Sequence, residues 1–303
     1  MKQRSIPNTK MMVSPICLGT MTFGNPVAAV DAERLVHWAL DQGVNFLDTA
    51  DMYEGYDRCL GSPGGVAEQI LGQALKDRRD RVIITTKVGN AVGDEQYQGQ
   101  GLLRSHILHQ IDASLTRLQS DYVDLYELHR PDPETPLEET IAVMGELITA
   151  GKVRHWGVSN FSGEQIHQIY ELCDSHSWPH PVISQPPLSW LRRDQLKDSL
   201  PVCSELAIAV TPYQPLQGGL LTGKYRRGEP LPSDSRAAQS QWLEQPDDQL
   251  YDKLELFEGE ANQAKLKPAQ YAVRWLLEQP GITSVVVGVT GISQLQQILT
   301  AAN

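Results

Sequence analysis

Val82–Lys87 reads VIITTK, a β-branched, apolar run that ends in a lysine. A run without polar alternation suits a strand covered by helices on both faces, as in a parallel sheet. The pattern recurs on either side: VNFLD ends on Asp48 and VDLYELH on His129, while Tyr53 follows Asp48 in the next loop. In a barrel of parallel strands the carboxyl ends share one face, and chemistry happens there. Residues far apart in the chain then meet in one pocket.

Working outward, eight strand candidates alternate with helical patterns: Ser14–Leu18, Val44–Asp48, Val82–Lys87, Val123–His129, Trp156–Ser159, Val182–Gln185, Ala207–Tyr213 and Ser284–Val287. The intervening amphipathic stretches include Val66–Lys76, Arg104–Leu118 and Leu137–Ala150. Ser162 with Gln165 reads as a capping box, Pro136 and Pro268 as first-turn residues, and Gly43 and Gly151 as helix stops. Most successive strand ends are separated by about 26 to 42 residues, one βα unit each. The last gap, about 74, holds a turn-rich stretch with a basic start, GLLTGKYRRGEPLPSDSRAAQSQW, read as a long functional loop. Eight units predict a (β/α)8 TIM barrel, one domain over 1–303 with long loops on the cofactor and substrate side. The rival, an open doubly wound sheet, wants GxGxxG after its first strand, where this chain has LGTMTFG.

The chain has 303 residues, 41% of them hydrophobic, 21% charged, and a net charge of −11. Such an acidic surface argues against nucleic acid and against anionic membranes. No secretory leader or 18-residue apolar run is evident, and Cys17, Cys59, Cys173 and Cys203 form no CxxC pair. A cytoplasmic protein with reduced thiols, Cys17 and Cys203 buried, is the expectation. No metal is expected, since His106 and His109 lack a third ligand. Oligomeric state is left open.

Asp48, Tyr53, Lys87 and His129 form a set with chemical logic. A phenol normally titrates near pH 10 and needs a lower value to act as an acid at neutral pH. A neighbouring ammonium stabilises the phenolate, so Lys87 is expected to lower the Tyr53 pKa. Asp48 can pair with Lys87 in a dry barrel mouth, and His129 can orient a substrate oxygen by hydrogen bonding. These groups suit protonation of the oxyanion formed when hydride adds to a carbonyl, the hydride coming from a cofactor.

The stretches NFLDTADMY, ITTKVG, DLYELHRPD, GKVRHWGVSNFS and PYQPLQGGLLTGKY resemble the aldo-keto reductases, in the branch of bacterial reductases and voltage-gated potassium channel β-subunits. The resemblance spans nearly the whole chain. It implies an NADP(H)-dependent reductase of a small-molecule aldehyde or ketone, with Tyr53 as proton donor supported by Lys87, Asp48 and His129. It implies that Thr20, Met21 and Asp48 line the nicotinamide end, that Ser159, Asn160 and Gln185 hold the carboxamide, and that Tyr213 stacks on the ring. Gln214, Leu216, Gly219 and Lys224 would follow the pyrophosphate, and Arg236, Gly288, Thr290 and Gln294 would surround the 2′-phosphate. Gln297 and Ile298 stand where the family often has Glu-Asn against adenine, and no cation lies near Thr290.

Two other readings compete. One is an NADP(H)-sensing regulatory subunit with little turnover. The other is aldol or isomerase chemistry through a Lys87 Schiff base. The insertion YDRCLGSPGG is read as a lid over the substrate, polar loop residues such as Asp57 and Arg58 suggest a sugar-like or small aldehyde, and Arg130 is read as a structural partner of Asp132 or Asp124.

Overall fold

The computed structural model describes residues 1–56, 58, 59, 61–93, 98–233 and 246–302. Eight parallel strands run β1 (Ile16–Gly19), β2 (Phe46–Asp48), β3 (Ile83–Val88), β4 (Val123–Leu128), β5 (Val153–Ser159), β6 (Ile183–Gln185), β7 (Ala209–Val210) and β8 (Val285–Gly288). Their spatial order is their chain order, with β8 returning to pair with β1. Thr283 N donates to Val210 O at 2.8 Å and Val286 N to Pro212 O at 2.9 Å, which joins β8 to β7 and closes the ring. The fold is a (β/α)8 barrel.

Both faces of the strands are buried, which is why the runs read as continuously apolar. Outward residues such as Leu18, Leu47, Ile84, Tyr126, Trp156 and Val287 pack against the helices. Inward residues Cys17, Phe46, Leu125, Ile183, Ala209 and Val286 form an apolar layer inside the barrel. An N-terminal hairpin, Arg4–Ser5 paired with Met12–Val13, was not legible in the sequence pattern; its Ile6 and Val13 join that layer and plug the amino-terminal end. The lumen is therefore a packed core, open to chemistry only at the carboxyl face.

The helices α1 (Ala29–Asp41), α2 (Val66–Ala74), α3 (Arg104–Leu118), α4 (Leu137–Thr149), α5 (Gly163–His176) and α6 (Ser199–Glu205) fall where the periodicity placed them. Ser162 and Gln165 form the capping box, and Gly43 and Gly151 take positive φ past α1 and α4. Pro136 stands one residue outside α4 rather than in its first turn.

The long gap before β8 holds a 3₁₀ segment, Gln217–Thr222, then α7 (Asp248–Gln263) and α8 (Pro268–Leu277); α9 (Ile292–Leu299) follows β8. Trp190, Leu220, Leu221, Tyr225, Leu254, Phe257 and Ala272 make a separate small core under this extra material. Trp190 is thus a packing residue, its indole N–H donating to Glu260 at 2.8 Å. The basic run is largely neutralised by α7: Arg226 pairs with Glu258, and Arg227 with Asp248, Asp252 and Glu255. Lys224 has no carboxylate at ion-pair distance among the described residues. No described helix is long and apolar enough to cross a membrane.

Candidate active site

Asp48 and Lys87 end neighbouring strands, and alternation points both into the lumen. The Lys87 ammonium is fully enclosed. It donates to Asp48 Oδ1 at 2.5 Å, to the Thr49 carbonyl at 2.8 Å and to the Tyr53 hydroxyl at 3.5 Å. Gln185 from β6 donates to the same Asp48 oxygen at 2.8 Å, which ties the far side of the barrel to the pair. Thr20 Oγ1 donates to the Asp48 carbonyl at 2.9 Å.

The first part of the loop after β2 is tethered, so Tyr53 has a defined place. Asp51 N donates to the Lys87 carbonyl, Tyr53 N to the Ala50 carbonyl, and Ala67 N at the head of α2 to the Tyr53 carbonyl. His129 follows β4 and meets the Tyr53 ring edge-on, with centroids 6.0 Å apart. The four residues expected to act together are together.

Electrostatics correct one expectation. Burial outweighs the Lys87 ammonium, and the Tyr53 phenol is pushed up to about 12, with Asp48 and Glu127 adding to the rise. Lys87 is itself held protonated: burial favours the neutral amine, but Asp48, Tyr53 and Glu127 together outweigh it. That protonation removes the free amine a Schiff base requires. Burial and the Lys87 charge push the His129 imidazole well below its usual range, so it is neutral, and its Nδ1 is buried without a partner.

The expected nicotinamide shelf is one hydrogen-bonded unit. Asn160 Nδ2 donates to the His129 carbonyl at 2.8 Å and to Ser159 Oγ at 3.1 Å, and the Tyr213 hydroxyl donates to Asn160 Oδ1 at 2.7 Å. Ser159 Oγ donates to the Gln185 carbonyl at 2.8 Å. Met21 is partly exposed at the β1 end, and Thr22 Oγ1 bonds the Val289 carbonyl, drawing the loops after β1 and β8 together.

Asn160, Gln214, Gln217, Gly218 and Gly219 all have positive φ. Such backbone is sparsely populated for the three non-glycine residues and is retained where the surroundings over-determine it, often at ligand clamps; glycine adopts it freely. A Cβ on Gly219 would lie 3.4 Å from the unpaired Lys224 ammonium, so backbone amides and a cation are close neighbours there. Leu216 belongs to the same turn, accepting from the Gly219 amide at 2.9 Å. Gly288, Thr290 and Gln294 are exposed where β8 gives way to α9, and Gln294 caps the Thr290 amide at 2.9 Å. An aromatic ring, an amide cluster, a glycine turn and a cation with no ion-pair partner among the described residues, around one rim, suit a nicotinamide dinucleotide. Ile298 is buried in the core and cannot face adenine. Arg236 and Asp57 lie outside the described residues.

Other polar expectations changed. Arg58 is not free for substrate: it donates to the carbonyls of Met52 and Ala91 and to Ser62, and Glu54 accepts from Ser62 and Gly64, so the described residues of the insertion are tied to the segments around it. Asp124 pairs with Arg79 and Arg154, while Asp132 binds Leu102 N, Glu134 N and the Thr135 hydroxyl; of the two partners expected for Arg130, Asp132 feels its charge, without an ion pair at contact distance among the described residues. One lumen residue was missed. Glu127, two positions before His129, shares its face, and the alternation that aimed Arg130 away from that face would have found it.

Comparison with known proteins agrees with this geometry. A probable voltage-gated potassium channel subunit beta from Arabidopsis thaliana is 33% identical over 100% of this chain and 92% of its own length. Its counterpart from Oryza sativa is 32% identical over 99% of this chain and 91% of its own. The solved structure of a glycerol dehydrogenase from Gluconobacter oxydans superposes with a TM-score of 0.81 at 28% identity, covering 98% of this chain and 89% of that one. Residues 15–303 match the aldo/keto reductase family, and the chain belongs to that family.

Proposed function

We propose that the protein reduces a small aldehyde or ketone to an alcohol with NADP(H), Tyr53 providing the proton. The observation that carries this reading is the enclosed Lys87 ammonium, held by Asp48 and aimed at the Tyr53 hydroxyl. When bound, the reduced nicotinamide supplies hydride to the carbonyl carbon. Ser159, Asn160 and Gln185 would hold its carboxamide and Tyr213 its ring. Gln214, Leu216, Gly219 and Lys224 would take the pyrophosphate, and Gly288, Thr290, Gln294 and Arg236 the 2′-phosphate. Neutral His129 donates a hydrogen bond to the substrate oxygen and orients it.

A phenol at about 12 is a weak acid in water yet a sufficient one here. An alkoxide is about as strong a base as hydroxide and far stronger than a phenolate, so transfer from Tyr53 runs downhill. Lys87 stabilises the phenolate left behind, and Asp48 keeps the ammonium in position. Four free cysteines, three of them buried, suit a reducing compartment, and we assign the protein to the cytoplasm on that ground.

The test is NADPH consumption with a panel of aldehydes and ketones. Wild type turns over at least one of them. Tyr53→Phe loses roughly 10²–10⁴-fold in kcat, the usual worth of a positioned general acid, while NADPH binding read by fluorescence is kept. Equal turnover in the variant overturns the mechanism. The names of the two plant relatives favour one second reading, a cofactor-binding regulatory subunit. Tight NADPH binding without turnover on any carbonyl would support it.

A further inference from the structure

Glu127 is fully buried and projects into the lumen from β4, in register with Lys87 on β3. Its Oε1 accepts from Thr85 Oγ1 at 2.8 Å, and its Oε2 is enclosed with no hydrogen-bond partner among the described residues. Buried polar atoms are mostly hydrogen-bonded, so an enclosed carboxyl oxygen without a partner calls for an explanation. The scheme above, with its donor, ammonium, counter-ion and imidazole, gives Glu127 nothing to do.

We propose that Glu127 is a positioning residue whose charge state sets how readily Tyr53 releases its proton, acting across the lumen through Lys87. The proposal rests on the reductase reading.

The groups facing Glu127 make the charge balance simple. β2 contributes Asp48, β3 contributes Thr85 and Lys87, and the loop after β2 contributes Tyr53. β1 contributes Cys17, whose thiol burial keeps neutral, and the end of β4 contributes neutral His129. β5 places Gly157 alongside, with His155 nearer the amino-terminal end, where burial lowers its pKa. β6 and β8 contribute Gln185 and Val286, and β7 leads to Thr211 and, at the rim, Tyr213. With Glu127 neutral, this dry space holds one cation, Lys87, and one anion, Asp48. Ionising Glu127 adds an uncompensated anion.

Burial pushes the Glu127 carboxyl up to about 8, Asp48 acting in the same direction and Lys87 and Thr85 against it. The group is therefore protonated at neutral pH and becomes charged on the alkaline side. Charged Glu127 draws on the field of Lys87 and tightens the hold of Tyr53 on its proton. Carbonyl reduction then slows as pH rises through this titration.

The experiment is Glu127→Gln, which keeps the shape and the acceptor for Thr85 but cannot ionise. Two readouts are taken. In the protein without added cofactor, Tyr53 ionisation is followed by ultraviolet difference spectroscopy against a matching Tyr53→Phe background. It should occur at lower pH in Glu127→Gln by roughly one unit, the scale at which interacting buried sites displace one another. In steady-state reduction, kcat/KM of wild type should fall near pH 8 while that of the variant stays level, with KM for NADPH unchanged. Glu127→Asp, which restores an ionisable group, should restore the fall. If Glu127→Gln does not fold, Thr85→Val removes the bond that favours the carboxylate and should move the fall to higher pH. Identical Tyr53 titrations and superimposable pH profiles overturn the proposal. Should no carbonyl be turned over, the reductase reading fails, and the Tyr53 titration still decides the role of Glu127.

Discussion

Removing the charge of Asp48 should expose how strongly the barrel mouth depends on one ion pair. In Asp48→Asn the shape is kept, and the amide oxygen can still accept from Gln185, which now donates at 2.8 Å. What is lost is the counter-ion of an ammonium with no exposed surface, 2.5 Å from the carboxylate oxygen and otherwise bonded to the neutral Thr49 carbonyl and Tyr53 hydroxyl. Breaking a buried pair in this way costs about 3–5 kcal/mol, because the remaining charge is neither hydrated nor compensated. Lys87→Met should lose a comparable amount, since Asp48 would keep only the neutral Gln185 donor on that oxygen. The double variant leaves no uncompensated charge and should return to within about 2 kcal/mol of wild type, since replacing both partners is often neutral. The coupling is then about 4 kcal/mol or more, above the usual range for residues in contact. Urea unfolding followed by circular dichroism measures all three variants, with thermal melting as a check. Additive losses would show that neither charge depends on the other, and the account of Lys87 as a held, poised cation would fail. Activity should be lost in all three variants, so stability rather than turnover is the informative signal.

Two further expectations follow from particular contacts. Glu127 keeps its proton up to about pH 8 in the folded protein, against 4.5 for the free side chain, so within that window the native state binds more protons. Its stabilising contribution is complete below pH 4.5 and is lost as pH rises toward 8; the stability difference between wild type and Glu127→Gln should slope by up to ~1.4 kcal/mol per pH unit, and a flat difference would contradict the burial of that carboxyl. Gly157 on β5 lies against Ile183 on β6, where a Cβ would come within 2.2 Å of the isoleucine Cγ2 and 2.5 Å of its carbonyl. Gly157→Ala should cost about 1–3 kcal/mol through overpacking, read as a lower urea midpoint; an unchanged midpoint would mean the strands shift freely there.

Much of the fold can be read from local pattern. Continuous runs such as VIITTK announce strands covered on both sides, and the regular strand spacing announces a barrel. Asp48, Lys87 and His129 are legible because each closes such a run, and Tyr53 because of the motif around it. These signals depend only on neighbours along the chain. The N-terminal hairpin was not legible: its strands, Arg4–Ser5 and Met12–Val13, are two residues each, too short to show a period. Nor could the basic run be interpreted alone, since Arg226 and Arg227 are neutralised by carboxylates of α7 more than twenty residues away.

Spacing and motif were enough to place the four expected groups on one face, yet they misjudged the acidity of Tyr53. A pKa is set by how much water surrounds a group and by every charge within reach, and neither quantity is written in the order of residues. Only the closed barrel shows that burial outweighs the ammonium at Tyr53, and that a second carboxyl, Glu127, shares its enclosure with Asp48. Chain order names the participants; the closing of the ring, by excluding water, decides which of them carry charge.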